Sequence, residues 1–267
     1  MMSQPERPVR IHDIQAKKAR GEKIAMLTAY CAWMARLLAG SGAIDMLMVG
    51  DSLGMVELGY DSTVPVTMDD MMRHARAVRT GAPHALIVAD MPFLSHRAGI
   101  NRALRNAGRL LQRGGATAVK VEGGEEIAET VRRIVLAGIP VMGHLGLLPQ
   151  SIHAQGGYRR QATRPEEQER LVADRAALEQ AGVFAIVLEC VPGALARRLS
   201  EISRVPIIGI GSGPDCDGQV LVTQDILGLS GSAAPSFARQ YAAVGELIVG
   251  AVQRFAADVR SGAIPSD

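Results

Sequence analysis

The stretch AVKVEGGEEIAETVRRIVLAGIPVMGHLG, residues 118–146, reads as strand, helix, strand. Its first run, AVKVEGG from Ala118, and its last, IPVMGHLG from Ile139, are short, apolar and bounded by Gly and Pro, as strands are. Between them, EEIAETVRRIVLAG from Glu125 opens on acids, is amphipathic and stops at Gly138, so both helix ends are marked. Most strand-like runs of the chain are continuously apolar rather than alternating, which suits parallel strands covered by helices.

The same unit recurs on both sides. Strand-like runs begin at Ile24, Ile44, Ala85, Phe184, Val205 and Gln219, which with the first two makes eight. Helical stretches begin at Asn101, Arg164 and Pro192. Eight strands alternating with helices in about 250 residues is the arithmetic of a closed (β/α)8 TIM barrel. An open doubly wound sheet is the alternative, but no GxGxxG follows any strand; GIGSGPDCDG from Gly209 fails at the third glycine. The expectation is a single barrel domain over 1–267, with an N-terminal extension of about 1–22 and an added C-terminal helix of about 235–260. The apolar stripe of that last helix suits either a subunit contact or packing on the barrel.

Composition narrows the function classes. The 267 residues carry 29 Lys+Arg against 27 Asp+Glu, a formal charge of +2, with 48% hydrophobic residues. A charge so small and evenly spread offers no footprint for nucleic acid or an anionic membrane. Cys31, Cys190 and Cys216 are odd in number and lack metal-ligand spacing, so they read as reduced thiols of a cytoplasmic protein. The polar N-terminus MMSQPERPVRIHD is not a secretory signal. Residues 134–158 contain no charged residue, but five Gly and two Pro would break any membrane helix there.

Polar residues interrupt or end five of the eight apolar runs, the second to the sixth. Asp51, Asp90, Lys120 with Glu122, His144 and Glu189 all fall at or near strand C-terminal ends. In a β/α barrel those ends share one rim, where active sites are built. Lys120 and Glu122 are two apart and point to one side, with Val119 and Val121 outside, so that side is the barrel mouth. A single acid at a strand end reads as a cap or turn residue. Four acids on one rim repel, and burying them without a cation is costly. An all-oxygen set without Cys points to Mg²⁺ or a similar hard cation, and the spare acid and base groups suit chemistry on a carbonyl compound. The remaining histidines, His12, His74, His84, His96 and His153, read as surface or structural residues.

GDSLG from Gly50 matches the GxSxG nucleophile elbow and begins like the GDSL-type serine hydrolases. A serine hydrolase of that kind needs a histidine after its acid near the chain end; the last one here is His153, and no DxxH occurs. With VGDSLGMVELGYDSTVPVTMDDM from Val49, KIAMLTAY from Lys23, VADMPFLSH from Val88, AVKVEGG from Ala118, GIPVMGHLGLLPQS from Gly138, GGYRRQ from Gly156, LEC from Leu188 and GIGSGPDCDGQVLVTQDILG from Gly209, the chain resembles the ketopantoate hydroxymethyltransferases along nearly its whole length.

The resemblance implies Mg²⁺-dependent transfer of a hydroxymethyl group from 5,10-methylenetetrahydrofolate to 3-methyl-2-oxobutanoate, giving 2-dehydropantoate on the route to pantothenate and coenzyme A. It implies Asp51, Asp90 and Glu122 around Mg²⁺, directly or through water. Asp51, Ser52, Asp90 and Lys120 would contact the keto acid, and Glu189 would be the base. His144 either hydrogen-bonds the new hydroxyl or organises its strand end. The resemblance also implies a homo-oligomer, a decamer. The segment 150–167 is long for a barrel loop and suits a lid, a seat for the acidic folate tail, or plain surface. Cys31, His96, Arg160 and Ala162 depart from the family pattern, outside the metal and base positions. A lyase of the same barrel group and a non-catalytic barrel are the alternative readings.

Overall fold

In the computed structural model, residues 7–230 and 234–264 are described. The elements in chain order are α1 (Ile11–Ala19), β1 (Ile24–Thr28), α2 (Ala32–Gly40), β2 (Met46–Val49), α3 (Leu53–Val56), α4 (Met68–Gly81), β3 (Leu86–Asp90), α5 (Ile100–Gln112), β4 (Ala118–Glu122), α6 (Ala128–Leu136), β5 (Val141–Gly146), α7 (Ile152–Gln155), α8 (Pro165–Ala181), β6 (Ala185–Glu189), α9 (Gly193–Ile202), β7 (Ile207–Ile210), β8 (Gly218–Leu221), α10 (Thr223–Leu227) and α11 (Val244–Ser261). The eight strands form a closed, all-parallel barrel in sequential order, the expected (β/α)8 architecture. All eight runs read from the sequence are strands.

Side-chain parity separates two cores. Met46, Met48, Leu86, Val88, Ala118, Met142, Ala185 and Val187 point into the barrel, while Leu47, Ile87, Val119, Val121, Val141, Ile186 and Leu188 belong to the layer between sheet and helices. Two residues onward along the inner parity come Asp90, Lys120, Glu122, His144 and Glu189. The period-2 alternation of a strand therefore carries the apolar plug of the barrel directly into the polar residues at its C-terminal end.

The opposite end is closed by α1. Ile14 is buried in the inner core, and Lys18 Nζ donates to Ser200 O at 2.8 Å and to Asp217 Oδ2 at 2.6 Å. The seam between β8 and β1 is tight. Ile24 N donates to Asp217 O at 3.0 Å, and a Cβ on Gly218 would lie 2.5 Å from Ile24 O, so only glycine lets the barrel close there.

Local chemistry sets the helix ends. Thr67 caps α4 in a capping box with Asp70, and α8 has Pro165 in its first turn and Gly182 in the left-handed conformation after its end. Between β7 and β8 there is no helix. Residues 211–217 make the crossover alone, pinned by Ser212 Oγ, which donates to Leu188 O at 2.8 Å.

The chain divides into two compact units, residues 1–220 and 221–267. In the second, the helix begins at Val244 and not at about 235. The amides of Tyr241 and Ala242 are given to Ile226 O, at 2.7 and 3.3 Å, so they are not available for helical bonding. No helix among the described residues is long and apolar enough to cross a membrane.

Candidate active site

A continuous chain of short contacts runs across the ends of five neighbouring strands. Asp51, just after β2, donates its backbone amide to Asp90 Oδ2 at 3.1 Å. Lys120 Nζ lies 3.1 Å from the same Asp90 oxygen and 3.0 Å from His144 Nδ1. His144 lies 3.5 Å from Glu122 Oε1 through Nδ1 and 3.1 Å from Glu189 Oε2 through Nε2. Sheet register explains this order, since Asp90 is paired with Lys120 and Glu122 with His144 on adjacent strands. Asp51, Asp90, Lys120, Glu122 and His144 are all buried, and Glu189 is partly buried.

Burial and the neighbouring Asp90 and Glu122 carboxylates push the Asp51 carboxyl well above the usual range. Burial also works against charge on Glu122, but His144 when its ring is protonated, Lys120 and the Gln150 amide outweigh it and hold that group below its usual value. Burial alone would strip the proton from Lys120; Asp90, Glu122 and Asp51 reverse this and hold the ammonium above the ordinary lysine range. Lys120 is therefore the donor in its contact with His144 Nδ1, and the imidazole proton sits on Nε2, facing Glu189. Burial and Lys120 oppose a further proton on the ring, while Glu122 and Glu189 favour it and raise its proton affinity overall. Taking that proton requires Nδ1 to give up the Lys120 contact.

Two buried carboxylate oxygens, Asp90 Oδ1 and Glu122 Oε1, have no hydrogen-bond partner. Among the described residues no three of His, Cys, Asp and Glu close into a complete metal-binding set. A partial set of this kind fits a hard cation that takes one or two carboxylates and completes its shell with water and substrate, as Mg²⁺ does.

Ser52, at the GDSLG turn, pairs its hydroxyl with Tyr30 Oη at 2.8 Å. A phenol, not an imidazole, is thus its partner, and no nucleophile–base pair is formed there. His96 is buried with Nε2 3.0 Å from Glu122 O, and burial lowers it to about 4, so the ring is neutral and structural. His74 Nδ1 lies 2.7 Å from Tyr30 O.

Gln150 and Tyr30 were not among the residues singled out from the sequence. Gln150 is buried and reaches both Asp51 and Glu122. Its only sequence signal is a polar residue following Leu148 and Pro149 inside the charge-free window 134–158. Beyond it, Tyr158 is raised by burial, then by Glu189, Asp51 and Glu122, which puts the loop within electrostatic reach of the carboxylates. Gln161 N donates to Cys190 O at 2.8 Å, one residue past Glu189. Arg159, Arg160, Gln161, Thr163, Arg164 and Glu167 line a cavity of about 310 Å³ in the same loop.

The sequence profile of the ketopantoate hydroxymethyltransferases matches residues 8–267. The chain belongs to this family. A 3-methyl-2-oxobutanoate hydroxymethyltransferase of Moorella thermoacetica is 55% identical over 257 residues, covering 96% of this chain and 95% of that one. One from Syntrophus aciditrophicus is 51% identical over 252 residues, covering 94% and 92%. Among solved structures, phosphonopyruvate hydrolase in complex with oxalate and Mg²⁺ superposes with a TM-score of 0.62 at 16% identity, over 96% of this chain and 91% of that one. A 2,3-dimethylmalate lyase gives 0.59 at 16% identity, over 96% and 89%. These structural likenesses place the ketopantoate hydroxymethyltransferase fold among barrels that share its architecture; at that identity they speak to fold alone.

Proposed function

We propose that this chain transfers a hydroxymethyl group from 5,10-methylenetetrahydrofolate to 3-methyl-2-oxobutanoate, yielding 2-dehydropantoate for pantothenate and coenzyme A synthesis. The observation that carries the reading is the pair of partnerless buried oxygens, Asp90 Oδ1 and Glu122 Oε1, beside the charged Lys120. Asp90 and Glu122, with Asp51 directly or through water, are the residues that would hold Mg²⁺. When bound, such a cation polarises the keto oxygen of a 2-oxo acid.

The protein's own groups supply the rest. Lys120 adds a fixed positive charge where charge develops on that oxygen. Glu189, partly buried and beside His144, takes the proton from the carbon next to the ketone, and that carbon bonds to the folate methylene carbon; one water supplies the hydroxyl oxygen as both carbon–nitrogen bonds of the methylene break, and tetrahydrofolate leaves with its two nitrogens protonated. His144 Nε2 lies 3.1 Å from Glu189 Oε2 and fills the space beside that carboxylate. Asp51 and Ser52 contact the keto acid, as do Asp90 and Lys120, and Tyr30 fixes the Ser52 hydroxyl. Three arginines around the 310 Å³ cavity suit the carboxylate-rich folate tail, which supports folate as the donor. The protein is proposed to act in the cytoplasm on small molecules as a homo-oligomer, with a decamer implied by the resemblance. Exposed Leu247, Val252, Phe255 and Val259 on α11 support self-association.

Proton NMR of 3-methyl-2-oxobutanoate with methylenetetrahydrofolate tests this, with Mg²⁺ present or chelated. Metal-dependent appearance of 2-dehydropantoate, abolished in Glu189→Gln, is the expected result. Folded wild-type protein that makes none overturns it.

A further inference from the structure

We propose that Gln150 is a positioning residue that clamps Asp51 and Glu122 and so leaves Glu122 Oε1 free for a divalent cation. The proposal rests on the cation reading above and adds a residue to it.

Gln150 lies in a 3-10 turn, Pro149–Ser151, directly after β5. Its backbone amide donates to Glu122 Oε2 at 3.1 Å. Its side-chain amide nitrogen donates to Asp51 Oδ2 at 2.8 Å and to Met91 O at 2.9 Å. Both side-chain N–H groups are thereby used, and a single residue, itself after β5, joins the segments that follow β2 and β3 to the last residue of β4.

The division of oxygens is the telling feature. Gln150 occupies Oε2 of Glu122, and Oε1 of that carboxylate is left without a hydrogen bond. It occupies Oδ2 of Asp51, whose neighbours Asp90 and Glu122 otherwise repel it. A carboxyl group held at one oxygen by a neutral donor keeps its direction and presents the other oxygen. Groups that orient metal-binding carboxylates in this way typically change cation affinity about 10–100-fold when removed. Glutamate here would lose both donated bonds and add a like charge, and asparagine is one methylene too short for the same reach.

Mn²⁺ serves as a spectroscopic probe of the cation, its binding read by EPR of the free ion. The variants are Gln150→Met, which keeps length and backbone amide but loses the side-chain donors, Gln150→Ala, and the control Gln155→Ala. Gln155 braces the same loop, accepting from Leu148 N at 3.0 Å and donating to Gly146 O at 3.4 Å, without touching a carboxylate. The expected result is Mn²⁺ affinity about tenfold or more weaker in both Gln150 variants and unchanged in Gln155→Ala. Near-UV circular dichroism confirms which variants are folded, and either folded Gln150 variant decides the matter. In turnover assays the half-saturating metal concentration rises, while kcat at saturating metal moves little. Equal affinity in wild type and a folded Gln150 variant overturns the clamp. So does equal weakening in Gln155→Ala, which would mean a general effect of the loop. Wild-type protein that binds no Mn²⁺ overturns the cation reading itself, and the clamp with it.

Discussion

His144 Nε2 lies 3.1 Å from Glu189 Oε2, while the other ring nitrogen, Nδ1, lies 3.0 Å from the Lys120 ammonium. The imidazole is thus held between a group that can only donate and one that can accept a proton. Glu189→Gln keeps the size of the side chain and removes its basicity. We expect exchange of the 3-methyl-2-oxobutanoate C3 proton with deuterium to fall by about 10²–10⁴-fold, the range for a general base. Metal titration of the same variant should give near wild-type affinity, because Glu189 is not among the proposed ligands; lost affinity would contradict the assignment.

Lys120 and Asp90 form a buried ion pair at 3.1 Å. Removing one partner of such a pair costs about 3–5 kcal/mol, because the other charge is left buried without compensation. Lys120→Met should therefore lower unfolding stability in urea by that order. The double variant Lys120→Met/Asp90→Asn should recover part of the loss, and additive losses would refute the coupling.

Asp90 carries a second, partnerless oxygen. Asp90→Asn keeps the shape of the side chain and removes its charge. Activity measured across Mg²⁺ concentration should show a half-saturation point displaced at least tenfold upward. An unchanged metal dependence would remove Asp90 from the cation set.

Thr67 and Asp70 make the capping box of α4, with Thr67 N donating to Asp70 Oδ2 at 3.0 Å. The Thr67 side chain is the main cause holding the Asp70 carboxyl below its usual 3.8. A carboxyl depressed in the folded state binds more protons when unfolded, so its contribution is present above pH 3.8 and declines as pH falls below it. Thr67→Ala should cost about 1 kcal/mol near pH 7. Melts repeated toward pH 3 should show that difference shrinking; a constant difference would show that the Asp70 charge has no part in it.

Local pattern determined the barrel and the positions of its polar rim. Continuous apolar runs give parallel strands, eight of them give closure, and the two-residue period carries Met142 into His144 and Ala118 through Lys120 into Glu122, so these positions were legible without coordinates. The crossover without a helix at 211–217 and the start of α11 at Val244 were not, because Ser212 and Ile226 spend their hydrogen bonds on groups distant in sequence.

The electrostatic roles depended on tertiary structure altogether. Which carboxyl is raised and which is lowered depends on a few ångströms among Asp51, Asp90, Lys120 and Glu122, contributed by three strands. Gln150 meets Asp51 across 99 positions of sequence. Neither its residue type nor its spacing marks such a contact. Strand parity is a property of neighbours along the chain, whereas a hydrogen bond between loops exists only once the barrel has closed and brought its strand ends onto one rim.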